Sequence, residues 1–182
     1  TVTAVVGMVA SLLITSLARN IDRRHLMMIF SGLLVISNLM VAAAPGLSVL
    51  LIGRLLLGVA LGGFWAMSTA IVIRLVPAAS VPRALSMIFS GVSGATIVAA
   101  PVGSYVGELA GWRFVFVLTA LLGVAALFAQ FFTLPKLAPT GTSSIKTLGT
   151  VLKRPGIALG LVAATLVFGG HFAFFTYLRP YL

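Results

Sequence analysis

The residue best suited to do chemistry in this very apolar sequence is Arg54, which lies inside the hydrophobic stretch Leu47–Val76. A charged side chain at membrane depth is costly, so an arginine there marks a candidate functional site. After Arg54 a small residue recurs at every fourth position, at Gly58, Gly62, Ala66 and Ala70. Positions four apart share one helix face, so the stretch predicts a helix with a flat strip that allows another helix to approach closely.

A second explanation of Arg54 is that its side chain extends to the membrane surface. Arg74 follows on the same predicted helix, about 30 Å further along at the helical rise, which is close to the hydrocarbon thickness. The two guanidinium groups could then reach opposite surfaces along their apolar stems. The residues by themselves leave both explanations open.

Composition indicates that lipid is the solvent of this chain. Of its 182 residues 60% are hydrophobic and 8% are charged, and the mean hydropathy is +1.21, more apolar side chain than one soluble core can bury. The net charge of +10 would suggest nucleic acid in a soluble protein, but the basic residues fall between apolar stretches, so no nucleic-acid partner is expected. The sequence has no cysteine, which excludes disulfides and thiolate metal sites, and we expect no metal and no cofactor.

Six apolar stretches predict an all-α fold, a polytopic bundle of transmembrane helices. Their ranges are 1–17, 26–44, 47–76, 84–109, 112–134 and 156–181. Basic residues concentrate in the first, third and fifth connections, which places these on the cytoplasmic side. Thr1 then begins outside, so we expect one helix to precede it. The expected location is the cell inner (plasma) membrane, crossed several times.

The segment 135–155 predicts a division of the chain. We expect residues 1–134 to form an N-terminal transmembrane bundle without its first helix, 135–155 to be a cytoplasmic linker, and 156–182 to be the first helix of a C-terminal bundle. The apolar residues Ile145, Leu148, Val151 and Leu152 stand beside the basic residues Lys146, Lys153 and Arg154, which favours a short amphipathic helix on the inner surface.

The stretch Ala84–Leu109 carries a second strip of small residues, at Gly91, Ala95, Ala99, Gly103 and Gly107. Pro101 lies within it, removes one backbone hydrogen bond and is expected to bend the helix. Such a proline is tolerated in lipid only against protein or a water-filled cavity. A bent helix with a glycine face suits an interface that rocks, and plain tight packing is the alternative.

Four stretches resemble the major facilitator superfamily of secondary transporters. Arg54–Gly62 resembles its helix-four signature, and Ala100–Gly103 with Gly107 resembles the helix-five Gly-Pro motif of its proton antiporters. Trp112–Phe116 resembles the start of helix six. Ser16–Arg24 is a partial match to the loop signature between helices two and three: Arg23 and Arg24 match, whereas Thr15, Arg19 and Asp22 stand where the pattern has Gly, Asp and Gly.

The resemblance covers the whole chain and would make its spans helices two to seven of twelve. It implies a partial major facilitator fold in a proton-coupled exporter built from two six-helix bundles. Helices one, four and seven would line the cavity, two and five would face the other bundle, and three and six would face lipid. We expect the residues that gate the cavity or pack its helices to be Asp22, Arg23, Arg24, Gly58, Gly62, Gly91, Pro101, Gly103 and Gly107. The implied partners are a small-molecule substrate, protons and the bilayer, with the full-length protein a monomer.

Candidate site residues lie on two of the helices that would line the cavity. Arg54 corresponds to the helix-four arginine that the superfamily links to proton coupling. His171 could titrate near neutral pH or bind substrate, and a packed, hydrogen-bonded histidine is the alternative. The other cavity-lining candidates are Trp65, Ser68, Thr69, Phe172, Phe175, Thr176 and Tyr177. The aromatic residues among them could stack on a purine base, or could equally face lipid or the core.

Three shorter stretches, Leu61–Ser68, Gly107–Arg113 and 172–180, resemble the purine ribonucleoside exporters of this superfamily. The expected cargo is therefore purine ribonucleosides, with multidrug or sugar efflux as alternatives. Two acidic residues and two histidines offer no catalytic constellation, so an enzyme is not expected. A truncated membrane protein that does not transport is the remaining alternative, and we expect residues 1–182 alone not to transport. Glu108 is expected to pair with Arg113 near the outer surface.

Overall fold

The computed structural model describes residues 2–17, 21–138, 149–150 and 154–178, and this part of the chain contains helices and no strand. The side chains of residues 15–17, 171, 172 and 174–178 lie outside the description. The helices are α1 (Val2–Leu17), α2 (Arg23–Ala42), α3 (Leu47–Leu75), α4 (Val81–Ala110), α5 (Trp112–Thr133) and α6 (Pro155–Leu178), with a 3₁₀ turn at Ala78–Ser80. The amphipathic helix predicted at 145–152 falls almost wholly outside the described residues.

The chain divides into two compact units, Thr1–Gly141 and Thr142–Leu182. Within the described residues, four helical segments are long and apolar enough to cross a membrane: Arg23–Ala42, Leu47–Leu75, Ala78–Ala110 and Trp112–Thr133. The described side chains of α1 and α6, in Val2–Ile14 and Pro155–Gly170, are also predominantly apolar. The protein is therefore a multi-pass membrane protein, and each predicted span coincides with a helix to within a few residues.

Local sequence explains where several helices begin and end. The Asp22 carboxylate accepts a hydrogen bond from the Arg24 amide at 2.8 Å and caps the start of α2, which satisfies one of the free amides of the first turn. Pro82 occupies the first turn of α4, where no amide donor is needed. Gly111 separates α4 from α5 with φ of 83°, a left-handed conformation that glycine adopts without strain.

The first unit is centred on α3, which packs against α2 through an apolar cluster. Leu26, Met27 and Phe30 of α2 meet Met67 and Ile71 of α3, and all five are buried. A Cβ added at Gly63 would lie 2.5 Å from the Phe30 ring, so the glycine is what admits that ring. The spacing of four predicted close contacts at Gly58 and Gly62 but did not predict this contact at Gly63.

The strip predicted on α3 packs against α1. A Cβ at Gly58 would lie 2.7 Å from the Thr3 carbonyl oxygen, and one at Gly62 would overlap the backbone of Gly7. The contacts advance in the same direction on both helices, so α1 and α3 run parallel. Their backbones touch at these positions, which is the close approach that small residues permit in membrane helices.

The strip on α4 is packed far more loosely. A Cβ at Gly91 would meet no atom within 4 Å among the described residues. Cβ atoms at Gly103 and Gly107 would reach Val115 of α5 at ordinary contact distances of 4.0 and 3.7 Å. The helix continues through Pro101. The part that these residues play in gating stays a prediction.

We predict that Met67→Ala destabilises the protein by about 2–5 kcal/mol, because it removes a fully buried side chain and leaves a cavity between α2 and α3. Met67 is 0% exposed. The matched control is Met87→Ala on α4, where the side chain is 72% exposed. Thermal unfolding of the purified proteins in detergent measures the difference, and equal unfolding temperatures for the two variants would contradict the packing described here.

Candidate functional site

One face of α3 carries the residues that could meet a substrate. At 100° per residue, Arg54, Leu61 and Trp65 point within about 40° of one another. We call this the α3 site face. Leu61 and Trp65 are exposed, and Arg54 is half-buried. The arginine and the tryptophan lie about 16 Å apart along the helix axis, so they form two separate parts of one surface.

Arg54 lies against protein at the edge of a small cavity. Its guanidinium carbon is 5.3 Å from the centroid of the Phe116 ring on α5, a cation–π geometry. The cavity beside it has a volume of about 270 Å³ and is lined by Val2, Thr3, Leu51 and Arg54. The Thr3 hydroxyl donates to the Arg54 carbonyl oxygen at 3.2 Å. The guanidinium thus has one face on an aromatic ring and borders open space.

Trp65 stands between two cavities. On one side is an open groove of about 510 Å³ between α1 and α3, which includes Thr3, Gly7 and Ser11. On the other is a pocket of about 270 Å³ between α2, α3 and α5. The indole stacks on Phe89 of α4 with ring centroids 6.1 Å apart and 16° between the planes. Trp65 as a whole is 36% exposed, so part of its surface can contact a ligand.

Sequence reasoning missed a polar pair in the second pocket. The Ser31 hydroxyl on α2 donates to Oε1 of Gln130 on α5 at 3.0 Å. Interhelical bonds of this kind hold membrane helices together, because lipid offers no competing partner. Ser31 and Gln130 are polar residues inside two apolar spans. The sequence shows them there, but it does not show that the two side chains meet.

The other predicted cavity residues are placed differently. Ser68 is buried and its hydroxyl donates to the Phe64 carbonyl oxygen of its own helix at 2.8 Å, so this donor is already used. Thr69 is exposed. The α6 backbone is helical through residues 171–178, but the side chains of His171, Phe172, Phe175, Thr176 and Tyr177 lie outside the described residues. Their roles stay predictions.

The predicted gating residues Arg23 and Arg24, at the start of α2, bind backbone, sulfur and aromatic groups. Arg24 donates to the Phe131 carbonyl oxygen and lies 5.3 Å from the Phe131 ring centroid. Arg23 donates to the Met67 sulfur at 3.3 Å. Both cations therefore tie α2 to its neighbours.

The Asp22 carboxylate accepts two backbone amides, from Arg24 at 2.8 Å and from Leu137 at 3.2 Å. Burial alone would raise the pKa of Asp22, but these two hydrogen bonds and the nearby His25 and Arg24 hold it below its ordinary value. The side chain is thus an ionised acceptor at neutral pH.

The expected pairing of Glu108 with Arg113 is wrong. The Arg113 guanidinium lies 4.7 Å from the centroid of the Trp112 ring and donates to the Ala44 carbonyl oxygen at 2.9 Å. It therefore joins the start of α5 to the turn between α2 and α3. Spacing along the chain suggested the nearest acid, whereas the Ala44 carbonyl in the turn between α2 and α3 is the partner that the fold brings into reach.

The sequence of this chain is similar to those of known proteins. The profile of the Major Facilitator Superfamily matches residues 1–182. The chain is 49% identical over 180 residues, 99% of its length, to the purine ribonucleoside efflux pump NepI of Shigella dysenteriae serotype 1 (strain Sd197). Identity and coverage are the same for the NepI pumps of Escherichia coli (strain K12) and Shigella flexneri. The match covers 46% of each relative, so the chain spans about half the length of the curated relatives it matches.

Proposed function

Because this chain belongs to the major facilitator superfamily, we propose that the full-length protein is a secondary transporter that exports small molecules in exchange for protons. The observation that carries the proposal is the continuous likeness to efflux pumps over 99% of the chain. The α3 site face supports it, because a half-buried arginine and an exposed tryptophan border open cavities inside a bundle of apolar helices. Proton coupling is proposed from the resemblance to the superfamily, and Arg54 is the first candidate residue for it.

We propose purine ribonucleosides as the cargo. Three relatives that are 49% identical are named for that activity. A purine base needs a flat apolar contact, which the exposed part of Trp65 offers, and its sugar needs a few hydrogen-bonding groups. Thr3 and Ser11 lie in the same groove as Trp65. Their hydroxyls already donate to the carbonyl oxygens of Arg54 and Met8, so they offer the sugar acceptor oxygens. We further propose that the protein works as a monomer in the cell inner membrane. The resemblance to the superfamily makes His171 and the aromatic residues that follow it further substrate-binding candidates.

The substrate proposal is tested by expressing the full-length gene in a host that is sensitive to toxic purine nucleosides. We expect resistance to these nucleosides and no resistance to unrelated lipophilic cations. Trp65→Leu should raise the half-saturating nucleoside concentration by about tenfold, because stacking on a base is worth about 1–3 kcal/mol. The matched control is Trp112→Leu, which changes the chain's other tryptophan. Resistance to the cations without resistance to the nucleosides would assign the protein to multidrug efflux.

A further inference from the structure

The chain does not leave the bundle where α5 ends at Thr133. The next five residues, Leu134–Ala138, run across the inner ends of α2 and α3, and we call them the inner strap. The Leu137 amide donates to the Asp22 carboxylate at 3.2 Å, and the Arg23 amide donates to the Leu137 carbonyl oxygen at 3.2 Å. Both backbone groups of Leu137 are thus bonded to the two residues at the start of α2.

Two further contacts hold the inner strap. Nη1 of Arg74, at the end of α3, donates to the Ala138 carbonyl oxygen at 2.9 Å. The side chains of Leu134 and Leu137 pack against the buried cluster that joins α2 to α3. The strap therefore caps this cluster where α2 begins and α3 ends. Four of its five residues belong to the linker that the sequence predicted from residue 135.

We propose that the inner strap is a latch that can undock while the helices stay folded, with Asp22 as the residue that positions it. Its polar anchors, Asp22, Arg23 and Arg74, lie at the ends of the apolar spans, where water competes for the bonds and lowers what each contributes. Segments held by so few contacts open without global unfolding. Undocking would uncover the cluster and add five residues to the linker, roughly 17 Å of extended reach.

Cysteine labelling tests the latch directly, since residues 1–182 contain no cysteine. In the full-length protein, with any cysteines outside this range replaced, Leu137→Cys is labelled with a maleimide in membrane vesicles. Adding Asp22→Ala should raise the labelling rate about tenfold, because the charge-assisted bond that the carboxylate accepts from the Leu137 amide is lost. Asp22→Asn retains an acceptor oxygen and should keep the rate within about twofold of the parent.

Two controls and a second test variant separate undocking from general damage. Lys136→Cys probes the exposed neighbour and should label at the same rate with either residue at position 22. Glu108→Ala removes the chain's other acid and should leave Leu137→Cys protected. Arg74→Ala releases the other end of the strap and should raise labelling even if Asp22→Ala fails to fold. An unchanged rate at position 137 in Asp22→Ala and Arg74→Ala, or an equal rise at positions 136 and 137, would overturn the proposal.

The labelling result does not depend on which molecule is exported. Nucleoside flux measured on the same vesicles tests the consequence for transport, which does rest on the proposed function. Faster labelling with slower flux supports a latch that takes part in transport. Faster labelling with no flux in any variant, the parent included, would keep the latch and remove the proposed function.

Discussion

Replacing Arg54 with alanine is expected to abolish proton-coupled export in the full-length protein while leaving membrane insertion intact. The guanidinium is half-buried on α3, lies over the Phe116 ring and borders a cavity. Alanine removes the only charge between Leu47 and Ile73 of that helix. Insertion should not suffer, because losing a charge from an apolar span makes insertion more favourable. Flux in everted vesicles, with and without a pH gradient, measures the effect.

Arg54→Lys distinguishes a functional arginine from one that only extends to the surface. A desolvated cation–π contact is worth about 2 kcal/mol, and lysine has neither the planar group nor the fork of donors that stack and bind at such a site. We therefore expect lysine to reduce flux by about tenfold or more. Arg83→Ala, at an exposed position in the first turn of α4, is the matched control and should transport normally. Full activity of Arg54→Lys would show that Arg54 only extends to the surface.

Adding even one carbon at Gly62 is expected to separate α1 from α3. The new Cβ would overlap the backbone of Gly7, and backbone cannot move aside as the end of a flexible side chain can. Overpacking of this kind costs about 1–3 kcal/mol, so Gly62→Ala should lower the unfolding temperature and Gly62→Leu should abolish folded protein. Gly58→Leu should behave similarly, since its Cβ would lie 2.8 Å from that of Val6. Thermal unfolding and the yield of monodisperse protein in detergent report both effects.

Gly91→Ala is the matched control for Gly62→Ala, because its Cβ would meet nothing within 4 Å in the described part of the chain. It should be neutral or slightly stabilising, as expected for alanine in an open helix position. Gly103→Leu is also predicted to impair the protein, and its one contact, to Val115 at 4.0 Å, makes us expect a smaller loss than at Gly62. Equal tolerance of alanine at Gly62 and Gly91 would mean that α1 and α3 do not touch in the membrane.

The sequence by itself determined the helical spans and their order. Apolar length and the prolines, glycines and charges between spans are local signals, so Leu47–Val76 was predicted and Leu47–Leu75 was found. The superfamily was evident from Arg54–Gly62 and the Gly-Pro motif for the same reason, since a motif is a property of contiguous residues. Spacing of four likewise placed Gly58 and Gly62 on one face without any structure.

Only the tertiary structure decided which partner each face meets. Periodicity fixes the direction in which a side chain points along its own helix, whereas its neighbour depends on packing between segments distant in sequence. Gly62 therefore proved tight against α1, while Gly91, with the same spacing signal, faces open space within the described residues. Asp22 was predicted as a gating residue and holds the inner strap, because a backbone amide at Leu137, 115 residues away, carries no sequence signature. Backbone donors and acceptors are the same at every residue type except proline, so the bonds they make with distant side chains become visible only when the chain is folded.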